Sequence, residues 1–162
     1  MRTQRVILAV WLLATVPACG SAGAGTADAG GDTYVGCVND PRVNLTAFPG
    51  TVAADAPATV QLALLTADPP VPLAGENTWT FALRNADGSA VTEPAGTVIT
   101  ADAFMPDHGH PSSLVPSVTL QPDGTWRLER VYLTMAGVWR ITLKIAQPTA
   151  TQTAVIYVCV AG

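Results

Sequence analysis

The chain is short of the side chains that most enzyme chemistry uses. Among 162 residues there are two histidines, three cysteines and three methionines, and charged residues make up only 12 %. Two histidines cannot build a three-histidine zinc centre. Ser112 and Ser113 follow the histidines closely, but no Gly-x-Ser-x-Gly context surrounds them, so a nucleophilic triad lacks its setting. The sequence therefore reads as that of a protein that is not an enzyme. Eight Lys and Arg face twelve Asp and Glu, for a formal charge of −4. No basic patch is present, which argues against nucleic acid as a partner. No stretch after the N-terminal leader shows a helical period, which argues against a helical domain.

What is present begins with an export signal. Arg2 and Arg5 precede an apolar run, Val6–Val16, of 11 residues. That is too short to span a bilayer as a helix, which takes about 20 residues. Small Ala18 precedes Cys19, as signal-peptidase cleavage requires. The context "VPACG" resembles a bacterial lipobox, whose cysteine takes a diacylglyceryl group and becomes the mature N-terminus. Val16 and Pro17 depart from the usual Leu and small residue of that pattern. Residues 1–18 are read as a lipoprotein-type signal peptide, with Cys19 as the lipidation site. Residues 19–33, rich in Gly, Ala and Ser, then form a flexible tether. The expected location is the bacterial cell envelope. Gly20 after the cysteine resembles outer-membrane sorting, facing the periplasm, with the membrane engaged through the lipid anchor. The alternative is ordinary cleavage after Ala18, giving a secreted or periplasmic soluble product. Without Arg2 and Arg5 the mature chain carries six basic and twelve acidic residues, near −6.

Cys37 and Cys159 bracket the remaining domain, residues 34–162. Export implies an oxidising compartment, so the pair is expected to form a disulfide across about 120 residues. Their spacing has no C-x-x-C character that would favour thiolate metal binding.

Between the cysteines the pattern has period two. Trp79, Phe81 and Leu83 alternate with polar or small residues, as do Trp139, Ile141, Leu143 and Ile145 with Val138, Arg140, Thr142 and Lys144 outward. Asp87-Gly88 and Asp123-Gly124 read as turns. In "TWRLERVYL" the apolar phase slips between Leu128 and Val131, which predicts a bulge near Glu129–Arg130. "VNLTAF", "TVQLALLT", "GTVITADAF", "PSVTLQ" and "TAVIYVCV" supply further strands. The expected fold is all-β, an immunoglobulin-like antiparallel β-sandwich of about seven or eight short strands. Trp79, Trp126 and Trp139 are expected to fill its core.

One stretch stands apart. "AFMPDHGHP" carries Met105, His108 and His110, and Met135 follows in "MAGVW". All the imidazole and thioether donors of the mature chain lie in these two segments. A soft metal such as Cu(I) accepts both donor types. His108 and His110 are two apart, so in an extended backbone they point the same way. If the later strand pairs near the motif, Met135 approaches Met105. Asp107 offers an oxygen ligand for Cu(II). Three readings stay open: a metal site at Met105, His108, His110 and Met135; a rigid proline-bounded turn with Met105 and Met135 as core fillers; and a pH-responsive histidine pair.

Three segments, "PLAGENTWTFALRNADGSAV", "ADAFMPDHGHP" and "LQPDGTWRLERVYLTMAGVWRITLKI", resemble the YtkA-like domain family, related to FixH-like proteins. The resemblance runs from about Pro72 to Ile145. It rests on Met-Pro-x-His-Gly-His followed by Met-x-Gly-x-Trp, here Met105–His110 and Met135–Trp139. It implies an immunoglobulin-like sandwich. It further implies a setting near copper-oxidase assembly or metal efflux. The function expected is an envelope-anchored lipoprotein that binds copper or another soft metal, for buffering or for delivery to a partner. The alternative is a metal-free β-sandwich module that presents a face or loop to an envelope protein.

Overall fold

A computed structural model describes residues 36–46, 48–56, 58–91 and 96–162. The signal peptide, Cys19 and the tether lie outside the described residues. Cys37–Asn39 forms one 3-10 turn, and nine strands follow. These are β1 (Gly50–Ala53), β2 (Val60–Asp68), β3 (Gly75–Asn85), β4 (Val98–Met105), β5 (His110–Pro111), β6 (Ser117–Leu120), β7 (Trp126–Leu133), β8 (Gly137–Ala146) and β9 (Thr151–Val160). No helix among the described residues is long and apolar enough to cross a membrane.

The strands form two antiparallel sheets, ordered β1-β2-β3-β7-β6 and β5-β4-β8-β9. The runs β2-β3-β7-β6 and β4-β8-β9 reproduce the A-B-E-D and C-F-G orders of an immunoglobulin sandwich. β5 adds a short C′ strand and β1 an extra edge strand. The two short edge strands take the count above the expected seven or eight.

Period-two alternation accounts for the core. Trp79, Phe81 and Leu83 on β3 face Trp139, Ile141, Leu143 and Ile145 on β8, and all are buried. Trp126 is buried too. On β7 the register against β3 shifts between Asn77 and Trp79, whose partners are Val131 and Leu128. Two residues, Glu129 and Arg130, thus oppose one, and Arg130 sits at φ 60°. This is the bulge that the phase slip predicts. It returns Val131 and Leu133 to the core beside Trp126 and Leu128.

One expectation changes. "VNLTAF" is not a strand. The N–H groups of Asn44 and Leu45 both donate to the Tyr157 carbonyl, and the Asn44 side chain bonds to β9 at Val155 and Tyr157. The segment covers the outer edge of β9, an edge that would otherwise be left unpaired. Val138 points outward but is buried. It pairs with Cys159, which is disulfide-bonded to Cys37 with 5.3 Å between their Cα atoms. The disulfide brings the Cys37 turn onto the face of β9 that Val138 shares.

Candidate metal centre

The motif folds as a hairpin. β4 and β5 pair Met105 with His110 and Phe104 with Pro111. Residues 106–109 form the loop. The Met105 carbonyl accepts N–H bonds from His108 at 3.3 Å and Gly109 at 2.9 Å. Gly109 lies at φ 68°, the left-handed conformation that lets so short a loop re-enter the strand. Past β5 the Ser112 N–H bonds the Ala103 carbonyl, and the Ser112 hydroxyl donates to the Tyr132 carbonyl.

Register places the donors in a row. Paired residues of an antiparallel ladder share a face, so His110 lies on the inner face with Met105. β4 pairs with β8 up to Phe104 and Arg140. One step further along, Met105 lies level with Trp139, which pairs with Val158 on β9. The row runs His110, Met105, Trp139, Val158. Met105 is fully buried in it. The His110 ring leans over towards Trp139, with ring centroids 5.9 Å apart and planes near perpendicular. The exposed His108 ring stands 6.0 Å from the His110 ring.

Met135 joins from the β7–β8 loop. Its side chain is 39 % exposed. Its carbonyl accepts the Trp139 indole N–H at 2.9 Å. The Met-x-Gly-x-Trp segment is therefore a closed turn, and it meets the Met-Pro-x-His-Gly-His hairpin through Trp139. The structure sets the His108 and His110 rings 6.0 Å apart and puts His110 in register with Met105, and it ties the Met135 backbone to Trp139.

The His110 Nδ1 lies 3.0 Å from the Pro111 carbonyl. A carbonyl only accepts, so Nδ1 is the donor in this contact, and in the neutral ring Nε2 is then the nitrogen with the lone pair. A metal-bound imidazole has its centroid about 3.1 Å from the ion, given bonds of about 2.0 Å. Two such rings on one ion are at most roughly 6.2 Å apart. The separation of His108 and His110 falls within that span. Among the described residues no group of three or more His, Cys, Asp or Glu is placed to hold a metal.

Asp107 serves a different purpose from the oxygen ligand weighed above. Arg42 grips both of its carboxylate oxygens, at 2.6 and 2.8 Å. The same guanidinium holds Asp40 at 2.9 and 2.8 Å. Hydrogen bonds from Arg42 hold the Asp40 carboxyl down to about 2 and lower that of Asp107. The two carboxylates raise Arg42 in turn. Because Cys37 is bonded to β9, this brace ties the histidine hairpin to the core through a covalent anchor. Sequence reading missed Arg42, which is 65 residues from its partner. It also took Trp139 as core alone, although the Met-x-Gly-x-Trp spacing carried the signal.

The model of the YtkA-like family matches residues 54–144, just over half of the 162-residue chain. The chain belongs to the YtkA-like family. The match starts earlier than the resemblance read from Pro72 onward. No curated protein matches this YtkA-like chain. Among solved structures, a copper-bound variant of FetP from uropathogenic Escherichia coli strain F11 is similar at 10 % identity and a TM-score of 0.48. That alignment covers 70 % of this chain and 94 % of that one. FetP of the same strain, as isolated after expression in the periplasm of E. coli, aligns at 10 % identity and a TM-score of 0.45, covering 70 % and 97 %. Overlap at this level says nothing about metal in the YtkA-like domain.

Proposed function

We propose that this YtkA-like domain binds Cu(I), with His108, His110, Met105 and Met135 as ligands, and buffers copper or hands it to a partner in the cell envelope. The observation that carries the reading is the hairpin itself. It holds two imidazoles 6.0 Å apart and sets His110 in register with a buried thioether. Mixed imidazole and thioether donors, too few for a hard ion, suit Cu(I). The Cys37–Cys159 disulfide fits an oxidising compartment outside the cytoplasm. In this reading Cys19 carries the lipid anchor, the domain is a non-enzymatic outer-membrane lipoprotein facing the periplasm, and nucleic acid plays no part.

Titration of the mature chain with Cu(I) against a chromophoric competitor tests the proposal. The His108→Ala/His110→Ala variant should lose at least tenfold in affinity, a loss of about 1.4 kcal/mol or more. Equal affinity in wild type and variant rules the site out.

A second reading has its own observation. Arg42 and the Met105 carbonyl close the hairpin without any metal, as a purely structural turn requires. Thermal melts separate the two. A fold element makes the histidine variant less stable in metal-free buffer; a copper site makes it lose only the stabilisation that Cu(I) adds.

A further inference from the structure

We propose that Trp139 is the positioning residue of this site, holding the Met135 loop through its indole N–H and closing the inner wall beside His110 with its ring. The inference rests on the Cu(I) reading and adds a residue to it. Trp139 sits on β8, which is paired on both sides, and it is fully buried. Its side chain is engaged at both ends, by His110 at the ring and by Met135 at the N–H. Trp79 and Trp126 are buried with indole nitrogens that have no hydrogen-bond partner. The bond made by Trp139 is thus no general consequence of burying tryptophan in this core.

Its effect follows from the loop it holds. Three residues, 134–136, separate β7 from β8. Met135 is exposed there and has a flexible side chain. A thioether offered to an ion from such a turn needs a fixed backbone, and the indole supplies the fixing bond. Partners of this kind outside the ligand set commonly change metal affinity by roughly 10–100-fold. The ring acts on selectivity as well. Cu(II) favours a tetragonal shell of nitrogen and oxygen donors. A dry indole wall beside His110 leaves no place for water on that side, which favours Cu(I).

The test uses the mature chain produced through its own leader. Trp139→Phe keeps a ring and loses the N–H. Benzothienylalanine at the same position keeps the fused-ring shape without the N–H and guards against a packing defect. Cu(I) affinity and the sulfur shell in X-ray absorption are measured together. Both replacements should weaken Cu(I) roughly tenfold or more and remove one sulfur scatterer. Met135→Leu should do the same, and combining it with Trp139→Phe should add nothing. Replacements that bind like wild type with an unchanged sulfur shell overturn the proposal, as do additive losses. If the histidine variant loses Cu(I) but Met135→Leu does not, the copper site stands and the role of Trp139 falls. If the histidine variant also binds normally, both fall.

Discussion

Reduction of the Cys37–Cys159 disulfide is expected to remove a large part of the domain's stability. The bridge joins residues 122 apart, and all nine strands lie within the loop it closes, apart from the last residue of β9. Loop-closure entropy for that length comes to about 16 cal/mol/K, or about 4.9 kcal/mol at 25 °C. A domain typically has roughly 5–15 kcal/mol in total. The loss acts through the unfolded chain, which gains freedom when the link is cut. Urea unfolding of the oxidised protein and of the Cys37→Ser/Cys159→Ser variant measures it. The variant should unfold at much lower urea. Its m-value should also be higher, because an uncrosslinked unfolded chain exposes more surface. Free energies within about 1 kcal/mol of each other, with equal m-values, would refute the entropic reasoning.

Arg42→Ala should change the stability of the fold little, since the pairs it makes are partly exposed. It should nevertheless speed amide exchange at His108 and Gly109, read by NMR, because the hairpin loses its brace. Acid should open that brace in a defined window. The folded Asp40 carboxyl lies at about 2, below its ordinary 3.8. The contribution of a depressed carboxyl is complete above its ordinary value and lost as pH falls through the folded one. The Arg42 contacts should therefore persist at pH 4 and break near pH 2, and an Asp40 titrating near 3.8 would contradict this. At the bulge, Arg130 occupies φ 60°. Arg130→Val should lower stability by about 1–2 kcal/mol and Arg130→Gly should be close to neutral, compared by thermal melts.

The strands that carry the core were legible because their signal is local. β3 and β8 alternate without interruption, and the slip in β7 pointed to Glu129–Arg130 because a bulge is the simplest way to keep four apolar residues on one face. "VNLTAF" misled for the same reason. Val43 and Leu45 alternate like a strand, yet the backbone N–H groups of Asn44 and Leu45 share one carbonyl of β9, more than a hundred residues away. Val138 was read as outward, and its burial was not legible, since the disulfide beside it joins the two ends of the domain. At the site the donors could be named from their types. The brace could not, because Arg42 is an isolated surface residue with no pattern around it. The contact between the motifs was hidden as well, for it depends on the register between β4 and β8.

That register explains why two motifs 25 residues apart converge. β4 and β8 are neighbours in one sheet although β5, β6 and β7 intervene in sequence. In this topology the loop after β4 and the loop before β8 open at the same end. Each strand brings one residue of the row: Met105 from β4 and Trp139 from β8. The hairpin then needs only to turn back by one pair to set His110 beside Met105, which the left-handed Gly109 allows. The chain thus sets His110 beside Met105, and Met105 level with Trp139, by continuing ladders that the core already requires. The contacts added at the site end include the Arg42 brace, the Gly109 turn and the Trp139 bond to Met135. His108 at the hairpin and Met135 in the β7–β8 loop are both exposed. Their exposure leaves both side chains reachable from solvent, as the proposed ligand set requires.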